Sequence, residues 1–576
     1  MAFRLIDTTT HKLKTFDSVP IPEYAILSHT WSHGNEISYQ EMIAIRLQSD
    51  HPAKQKSGYA KILKACEVSK NAAQQYIWID TCCIDQSSSS DQSEAINSMF
   101  RWYQNAKVCF AYLEDLPPGC NLDESMPRCK WFSRGWCLQE LIAPRDVVFY
   151  DRTWEAVGSK LEADVRCTVS RISKIKENVL ADPSLLPMMS VAQKMAWAAY
   201  RETTKVEDKA YCLLGIFGVN MPLIYGEGQK AFMRLQKEII NESNDLSIFA
   251  WGHLQTTTSQ RQGVADSSLT RRDLRGAGSE ESGGESNDSN LPDQAVLSSL
   301  FAESPRDYAS CSNLVLQSGI TRRNIAFSMT NNGLFLSRMK LRVDFENGCY
   351  LLPLPCYDTE SPRVRMYLAL KKVGPDVFVR LRRCQWDTIY RWNYSVDGYV
   401  IAAVTPETRG SIQNSRVGSV ELHSLWCSKQ TFYNSILEIF PQDTWDASNF
   451  SFLQSEDHPY SGYVKMSSRV LRVGQPGSSS STWEDFYLAW GGLFVPESAD
   501  ASGGRETLWV RLYWAAEWRG CPNLSDQGRI DSGPDGLSRL ERDVIRCAVG
   551  DIYAVVATIE DLGEEQYRIY IGVTPR

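Results

Sequence analysis

Tyr76-Ile-Trp-Ile-Asp80 is an apolar run of strand length that closes on a carboxylate, and the residues after it decide the fold. Ser93 to Asn105 repeats Ile96, Met99, Phe100 and Tyr103 at helical spacing, and Lys107-Val-Cys-Phe-Ala-Tyr-Leu113 is a second apolar run. Strand, helix and strand in that order form a βαβ unit, which requires a parallel sheet. The pattern extends in both directions. Upstream lie Tyr24-Ala-Ile-Leu-Ser28, a buried strand, and Tyr59 to Ala73, a helix with Ile62, Leu63, Cys66 and Val68 as its apolar residues. Downstream, Asp146-Val-Val-Phe-Tyr150 is a fourth strand, while residues 1–20 read as a lead-in with one strand. Polar residues gather at strand ends: Ser28 and His29 after the first strand, Asp80 after the second. Open α/β sheets bind ligands at the carboxyl ends of their strands, so these are candidate site residues.

Between the third and fourth strands stands Trp131-Phe-Ser-Arg-Gly-Trp-Cys-Leu-Gln-Glu-Leu-Ile-Ala-Pro144. Ser133 suits an N-cap and Pro144 a stop, which predicts one helix between them. On it Trp136 and Cys137 precede Glu140 by one turn and share its face. A carboxylate held against an indole is partly desolvated, which favours its neutral form and fits acid–base or cation-stabilising work. The segment by itself also fits a surface glutamate flanking an apolar helix face.

From about 159 to 254 the pattern becomes helical, with stripes over Ala192–Tyr200, Val206–Phe217 and Gln229–Asn241. Tyr225-Gly-Glu-Gly228 breaks and restarts the last two; its glycines serve helix-turn geometry or, less in keeping with a position after a helix, cradle a phosphate. Residues 255–297 are rich in Ser, Gly, Thr and acids and read as a flexible acidic linker. Beyond 298, strand-like runs recur at Leu334–Leu341, Tyr350–Leu354, Met366–Leu370, Val377–Leu381, Tyr399–Ala403, Asp485–Ala489, Leu508–Tyr513, Ile552–Ile559 and Tyr567–Val573. They predict a mainly β region, a sandwich or barrel, of regulatory or sensor type. The expected organisation is an α/β domain over 1–158, a helical extension over 159–254, the linker and the β region over 298–576.

At 576 residues the chain exceeds one core, so two to four domains are expected. Its 17 Trp and 25 Tyr argue against wholesale disorder. A net charge of -8 offers no basic face for nucleic acid or anionic membranes. No run approaches membrane-span length and no signal peptide opens the chain, which points to a cytoplasmic protein with reduced, mostly buried thiols. The sixteen cysteines include no Cys-x-x-Cys pair, and the seven histidines do not join them at zinc spacing, so no metal is expected. No Gly-x-x-x-x-Gly-Lys-[Ser/Thr] occurs, which argues against a P-loop NTPase.

Ser28-His-Thr-Trp31, Trp78-Ile-Asp-Thr-Cys-Cys-Ile-Asp-Gln86, Ser93-Glu-Ala-Ile-Asn-Ser-Met99 and Arg134-Gly-Trp-Cys-Leu-Gln-Glu-Leu-Ile142 together resemble the fungal heterokaryon-incompatibility (HET) domain. The resemblance continues through Arg201-Glu-Thr-Thr-Lys-Val-Glu-Asp-Lys-Ala-Tyr-Cys-Leu-Leu-Gly-Ile-Phe217 and Tyr225-Gly-Glu-Gly-Gln-Lys-Ala-Phe232, covering about residues 20–251. It implies an intracellular fungal protein of allorecognition and programmed cell death, with an incompatibility partner protein. HET domains are in turn similar to TIR domains, a flavodoxin-like fold that includes enzymes cleaving NAD⁺. Trp136-Cys-Leu-Gln-Glu-Leu141 matches the plant-type TIR stretch whose glutamate is catalytic, and this implies Glu140 as the catalytic residue. It also implies self-association for activity, with NAD⁺ as substrate and no cofactor. The loop Thr81-Cys-Cys-Ile-Asp-Gln-Ser departs from the Glu-Arg-Gly-like run of TIR domains, and His29-Thr-Trp31 departs at the first strand end.

Cleaving the nicotinamide–ribose bond expels a leaving group that is already cationic, so the reaction needs a carboxylate near the developing oxocarbenium more than a strong acid. Glu140 fits that need. Trp31 or Trp136 would stack on a base, and Ser28 and Arg134 would contact ribose and phosphate. Each has a plainer reading: the tryptophans as core anchors, Arg134 paired with an acid, His29 as a hydrogen-bonded strand end, Asp80 and Asp85 as loop caps, Cys137 as packing. The functional alternative is a non-catalytic signalling module acting through protein partners.

Overall fold

The computed structural model describes residues 3–16, 20–48, 50–252 and 298–317 and, from 327 to 575, mainly the strands of a β-rich region. The linker predicted over 255–297 lies outside the described residues. Two compact units emerge. The first takes the described residues among 1–287, 301–324 and 354–366; the second takes those among 288–300, 325–353 and 367–576. This division differs from a boundary at 298. Residues from 301 return to the first unit because Tyr308 is buried there, its hydroxyl donating to the Ile248 carbonyl at 2.5 Å, and the Gln236 amide holds both backbone groups of Ala302 at 2.9 Å.

A seven-stranded sheet organises the first unit. Its strands are β1 (Phe3–Asp7), β2 (Leu13–Phe16), β3 (Ala25–His29), β4 (Tyr76–Trp78), β5 (Val108–Tyr112), β6 (Val147–Tyr150) and β7 (Ala156–Ser159), in the order β2-β1-β4-β3-β5-β6-β7. Strand β3 runs parallel to β4 and β5, and β5 parallel to β6. Taken alone, these four follow the order 2-1-3-4 of flavodoxin-like sheets, which reverses between β3 and β5. The edges are antiparallel: β1 pairs with β4 and β2, and β7 with β6. The parallel sheet expected from sequence is therefore the centre of a mixed one, and the lead-in supplies two strands. Asp7 closes their hairpin by accepting from the backbone of Thr9 and Thr10 at 3.1 and 2.9 Å, an Asx turn.

Helices α1 (Tyr39–Leu47), α2 (Ser57–Asn71), α3 (Asp80–Cys83) and α4 (Ser89–Asn105) connect the first strands, and α5 (Leu122–Ser125), α6 (Lys130–Ser133) and α7 (Cys137–Ile142) lie between β5 and β6. Ser38 and Glu41 form a capping box on α1, and the Ser88 hydroxyl accepts from Asp91 N at the start of α4. The single helix predicted from Ser133 to Pro144 is two. Ser133 ends α6, its hydroxyl turned back to the Lys130 carbonyl at 2.9 Å, and Trp136 stands at the N-cap of α7. The cause is a competing backbone pairing. Glu202 N donates to Ser133 O at 2.6 Å and Gly135 N to Glu202 O at 2.7 Å, so residues 133–135 bond to a distant segment rather than along a helix. At Gly135 a Cβ would stand 2.6 Å from Thr203 Cγ2, so a larger residue requires that side chain to shift.

The helical extension contains α8 (Ala163–Ser173), α9 (Glu177–Ala181), α10 (Val191–Ala198), α11 (Asp208–Tyr211), α12 (Leu214–Phe217) and α13 (Lys230–Glu242). The helix expected over 206–217 is split into α11 and α12. At Gly215 the backbone of α12 approaches α4 so closely that a Cβ would lie 2.1 Å from that of Phe100. From 314 onward the described strands form sheets of nine, six and four strands, mainly antiparallel. The run Leu334–Leu341 is two strands, Gly333–Leu336 and Lys340–Asp344. Alternating residues Cys349, Leu351, Tyr367, Ala369, Val379 and Leu381 build one core of this region. No helix among the described residues is long and apolar enough to cross a membrane.

Candidate active site

Register explains why the strand-end residues meet. Ile26 of β3 pairs with Trp78, the last residue of β4, so Asp80, two residues on, comes level with Ser28 as the chain turns into α3. On the other side β5 pairs with β3 through His29 and Tyr112. The carboxyl end of β3 thus lies at the reversal of strand order, between the two neighbours.

Ser28 is fully buried and its hydroxyl has two partners. It donates to Oε2 of Glu140 and accepts from Trp131 Nε1 at 2.7 Å. Glu140 retains only 4% of its surface. Burial, reinforced by the negative charge of Asp80, pushes its carboxyl up to about 7, against the opposing pull of Ser28, Arg134 and His29. Asp80 is moved the other way. Burial favours its neutral form, but His29, Arg134 and the Trp31 N–H outweigh it and hold the carboxyl below the ordinary range. Two neighbouring carboxyls with separated titrations divide the roles: Asp80 stays anionic while Glu140 exchanges a proton near neutral pH.

Around Asp80 a second network closes. His29 Nε2 lies 3.0 Å from Asp80 Oδ1, and Trp31 Nε1 donates to Oδ2 at 2.9 Å. The Lys61 ammonium lies 3.1 Å from His29 Nδ1 and donates to Glu36 at 2.6 Å. His29 Nδ1 thus lies between the Lys61 ammonium and the Thr30 carbonyl, at 3.1 and 3.2 Å. Trp31 is 42% exposed, so it anchors no core, and the Arg134 guanidinium sits 5.1 Å from the centre of its ring.

The structure therefore gathers Ser28, His29, Trp31, Asp80, Arg134 and Glu140 into one cluster. Trp136 faces elsewhere, donating from Nε1 to Asp208 at 3.3 Å, where Tyr225 also donates at 3.0 Å. Asp85 caps its turn through Ser87. Cys137 is fully buried, which raises its thiol well above the usual range and leaves it packing. The glycines of Tyr225-Gly-Glu-Gly228 donate from Gly226 N and Gly228 N to Glu207 Oε1 at 2.8 and 3.0 Å, so an internal carboxylate takes the place a phosphate would need. Among the described residues no group of three His, Cys, Asp or Glu is placed to hold a metal ion.

Four contributors escaped the sequence reading. Trp131 lies in the quoted stretch, but its role depends on the α6–α7 bend. Lys61 occupies the buried stripe of α2 beside Ile62 and Ala65, and a cation at a core position is a legible signal. Lys160, fully buried, donates to the Leu141 and Pro144 carbonyls at 3.0 and 2.5 Å and so caps the end of α7. Arg201 donates to the Arg134 carbonyl at 2.9 Å. Nothing in the local sequence marks Lys160, and Arg201 opens a family-like stretch that does not by itself assign it to the cluster.

The sequence profile of the heterokaryon incompatibility protein (HET) family matches residues 24–119, and that of a domain of unknown function (DUF8212) matches 230–326. The first span contains Ser28, His29, Trp31 and Asp80; Arg134 and Glu140 follow it in the chain. The vegetative incompatibility protein HET-E-1 of Podospora anserina is 42% identical over 238 residues, which is 39% of this chain and 17% of that protein. The chain thus spans about a sixth of the length of this relative. No solved structure matches. The family motifs fall on the strand ends and loop that build the cluster, and residues 24–119 carry the match to the HET family.

Proposed function

We propose that the chain acts in heterokaryon incompatibility as a cell-death effector, and that its HET domain hydrolyses the nicotinamide–ribose bond of NAD⁺ at Glu140. One observation carries the chemistry: a buried carboxyl, set between Ser28 and the charge of Asp80, that titrates near neutrality at the carboxyl end of β3. In its ionised form Glu140 stabilises the oxocarbenium that develops as nicotinamide leaves, and Ser28 holds the carboxylate in place. Trp31, exposed and carrying Arg134 on its face, offers a surface on which a base can stack. The TIR-like character of the domain and its self-association belong to the same reading.

A second reading is a signalling module without catalysis, acting through protein partners. The closure of Glu140 beneath Ser28 and Trp131 favours it, because a ligand must displace that cover to reach the carboxylate. The deciding experiment incubates the full chain with NAD⁺ and follows nicotinamide release for wild type and Glu140→Gln. Release by wild type and its loss in the variant support the hydrolase. Release that survives the substitution removes Glu140 from the mechanism. Absence of release from wild type, also in self-associated samples, leaves the signalling module.

A further inference from the structure

We propose that Arg134 and Arg201 form a diphosphate-binding edge of the Glu140 site, so that the protein selects the dinucleotide and not only its nicotinamide riboside half. The inference rests on the NAD⁺ reading and adds a subsite to it.

The two arginines are far apart in sequence and are joined by the backbone pairing that breaks the helix at 133–136. Arg134 and Glu202 form a parallel bridge, and Arg201 Nη1 reaches back to the Arg134 carbonyl at 2.9 Å. Both guanidinium-bearing residues are part-buried. Among the described residues neither makes an ion pair with a carboxylate. Arg134 rests on the Trp31 ring, and Arg201 spends one nitrogen on a carbonyl. Asp80 and Glu140 act on Arg134 through space only. Part-buried arginines elsewhere in this unit are paired: Arg4 with Asp91 at 2.8 Å, and Arg234 with Glu227.

A desolvated guanidinium without an anion is costly, and two at one place call for a partner carrying more than one negative charge. Burial lowers the Arg201 guanidinium to about 10, the direction expected of an uncompensated charge. The planar fork of each arginine matches two phosphate oxygens, which fits a diphosphate better than a monophosphate. The backbone donors of the Tyr225–Gly228 turn, Gly226 N and Gly228 N, already hold Glu207.

The test uses the full chain as wild type, Arg134→Gln and Arg201→Lys; the lysine keeps the charge that the fold has accommodated. Nicotinamide release is measured from NAD⁺ and from nicotinamide riboside, and melting temperatures are taken with and without inorganic pyrophosphate. The expected result is a fall of about tenfold or more in the kcat/KM preference for NAD⁺ over the riboside in both variants. Pyrophosphate should stabilise wild type and lose that effect in the variants. Equal loss with both substrates would make the arginines positioning residues for α7 and overturn the proposal. If wild type releases no nicotinamide, the NAD⁺ reading fails while the pyrophosphate measurement still decides: stabilisation of wild type that Arg134→Gln loses keeps the diphosphate site, and no effect on wild type removes it.

Discussion

Ser28 donates its hydroxyl proton to Glu140 and, on the same oxygen, accepts the N–H of Trp131 at 2.7 Å. A strand end of β3 and two short helices therefore meet on one buried atom. Ser28→Ala leaves a carboxyl and an indole N–H without that partner in a closed interior. The expected cost is about 1–3 kcal/mol of stability in chemical denaturation. Trp131→Phe removes the N–H together with part of a fully buried ring, so a cavity adds to the lost hydrogen bond and its cost should be larger, about 2–4 kcal/mol. A Ser28→Ala cost near zero would mean that the Ser28 hydroxyl contributes nothing through Glu140 or Trp131.

The raised carboxyl of Glu140 ties stability to pH. Its ordinary value is 4.5 and its folded value about 7, so the folded state holds the proton more tightly than the unfolded chain. This contribution is fully present below about 4.5 and is lost as pH rises through about 7. The ionised form then carries a penalty of about 3 kcal/mol. Glu140→Gln removes the titration. Its stability relative to wild type should climb between pH 4.5 and 7 and level off above, as followed by denaturant unfolding at fixed ionic strength. A difference that is flat with pH would place the Glu140 titration outside this window.

Asp80 raises the Glu140 carboxyl by its charge and holds His29 and Trp31 by its two oxygens. Asp80→Asn removes the charge while keeping a side chain of the same shape. The wild-type rise of nicotinamide release with pH is expected near 7, because the ionised carboxylate is the active form. In Asp80→Asn that rise should move to lower pH, and the pH–rate profile of kcat reads the shift directly. A profile that stays in place would show that burial alone sets the Glu140 carboxyl.

Much of this arrangement is legible in the sequence, and the missing parts share a cause. Strands β3, β4, β5 and β6 are short apolar runs bounded by polar residues, and their period and composition identify them. Ser28, His29 and Asp80 follow because ligand residues sit at parallel-strand ends. The helix break at 133–136 is not legible, because it comes from a backbone pairing with Glu202 that no local pattern encodes. Trp136 keeps helical backbone at the N-cap of α7, one turn before Glu140, but its indole N–H goes to Asp208, a distant partner that no local pattern encodes. Edge strands β2 and β7 are four residues long and largely polar-patterned, so neither carries a clear strand signal. Trp136→Phe consequently loses one hydrogen bond to Asp208 and should leave the pH at which nicotinamide release rises unchanged.

Lys160 holds the far end of the Glu140 helix without touching Glu140. It is fully buried and gives its ammonium to the Leu141 and Pro144 carbonyls, which α7 leaves unpaired at its end. Burial lowers its ammonium from 10.5 to about 8. The folded state therefore releases this proton more readily than the unfolded chain. The associated stability is present above about 10.5 and is lost as pH falls through about 8, a change of about 3 kcal/mol. Lys160→Met fills similar space but orphans both carbonyls, at an expected cost of about 2–4 kcal/mol near neutral pH. Because the variant lacks the titration, the cost should grow as pH rises from 8 to 10.5. Denaturant unfolding of both proteins across that range measures it, and a cost that stays constant would show that Lys160 carries an ordinary ammonium in the fold.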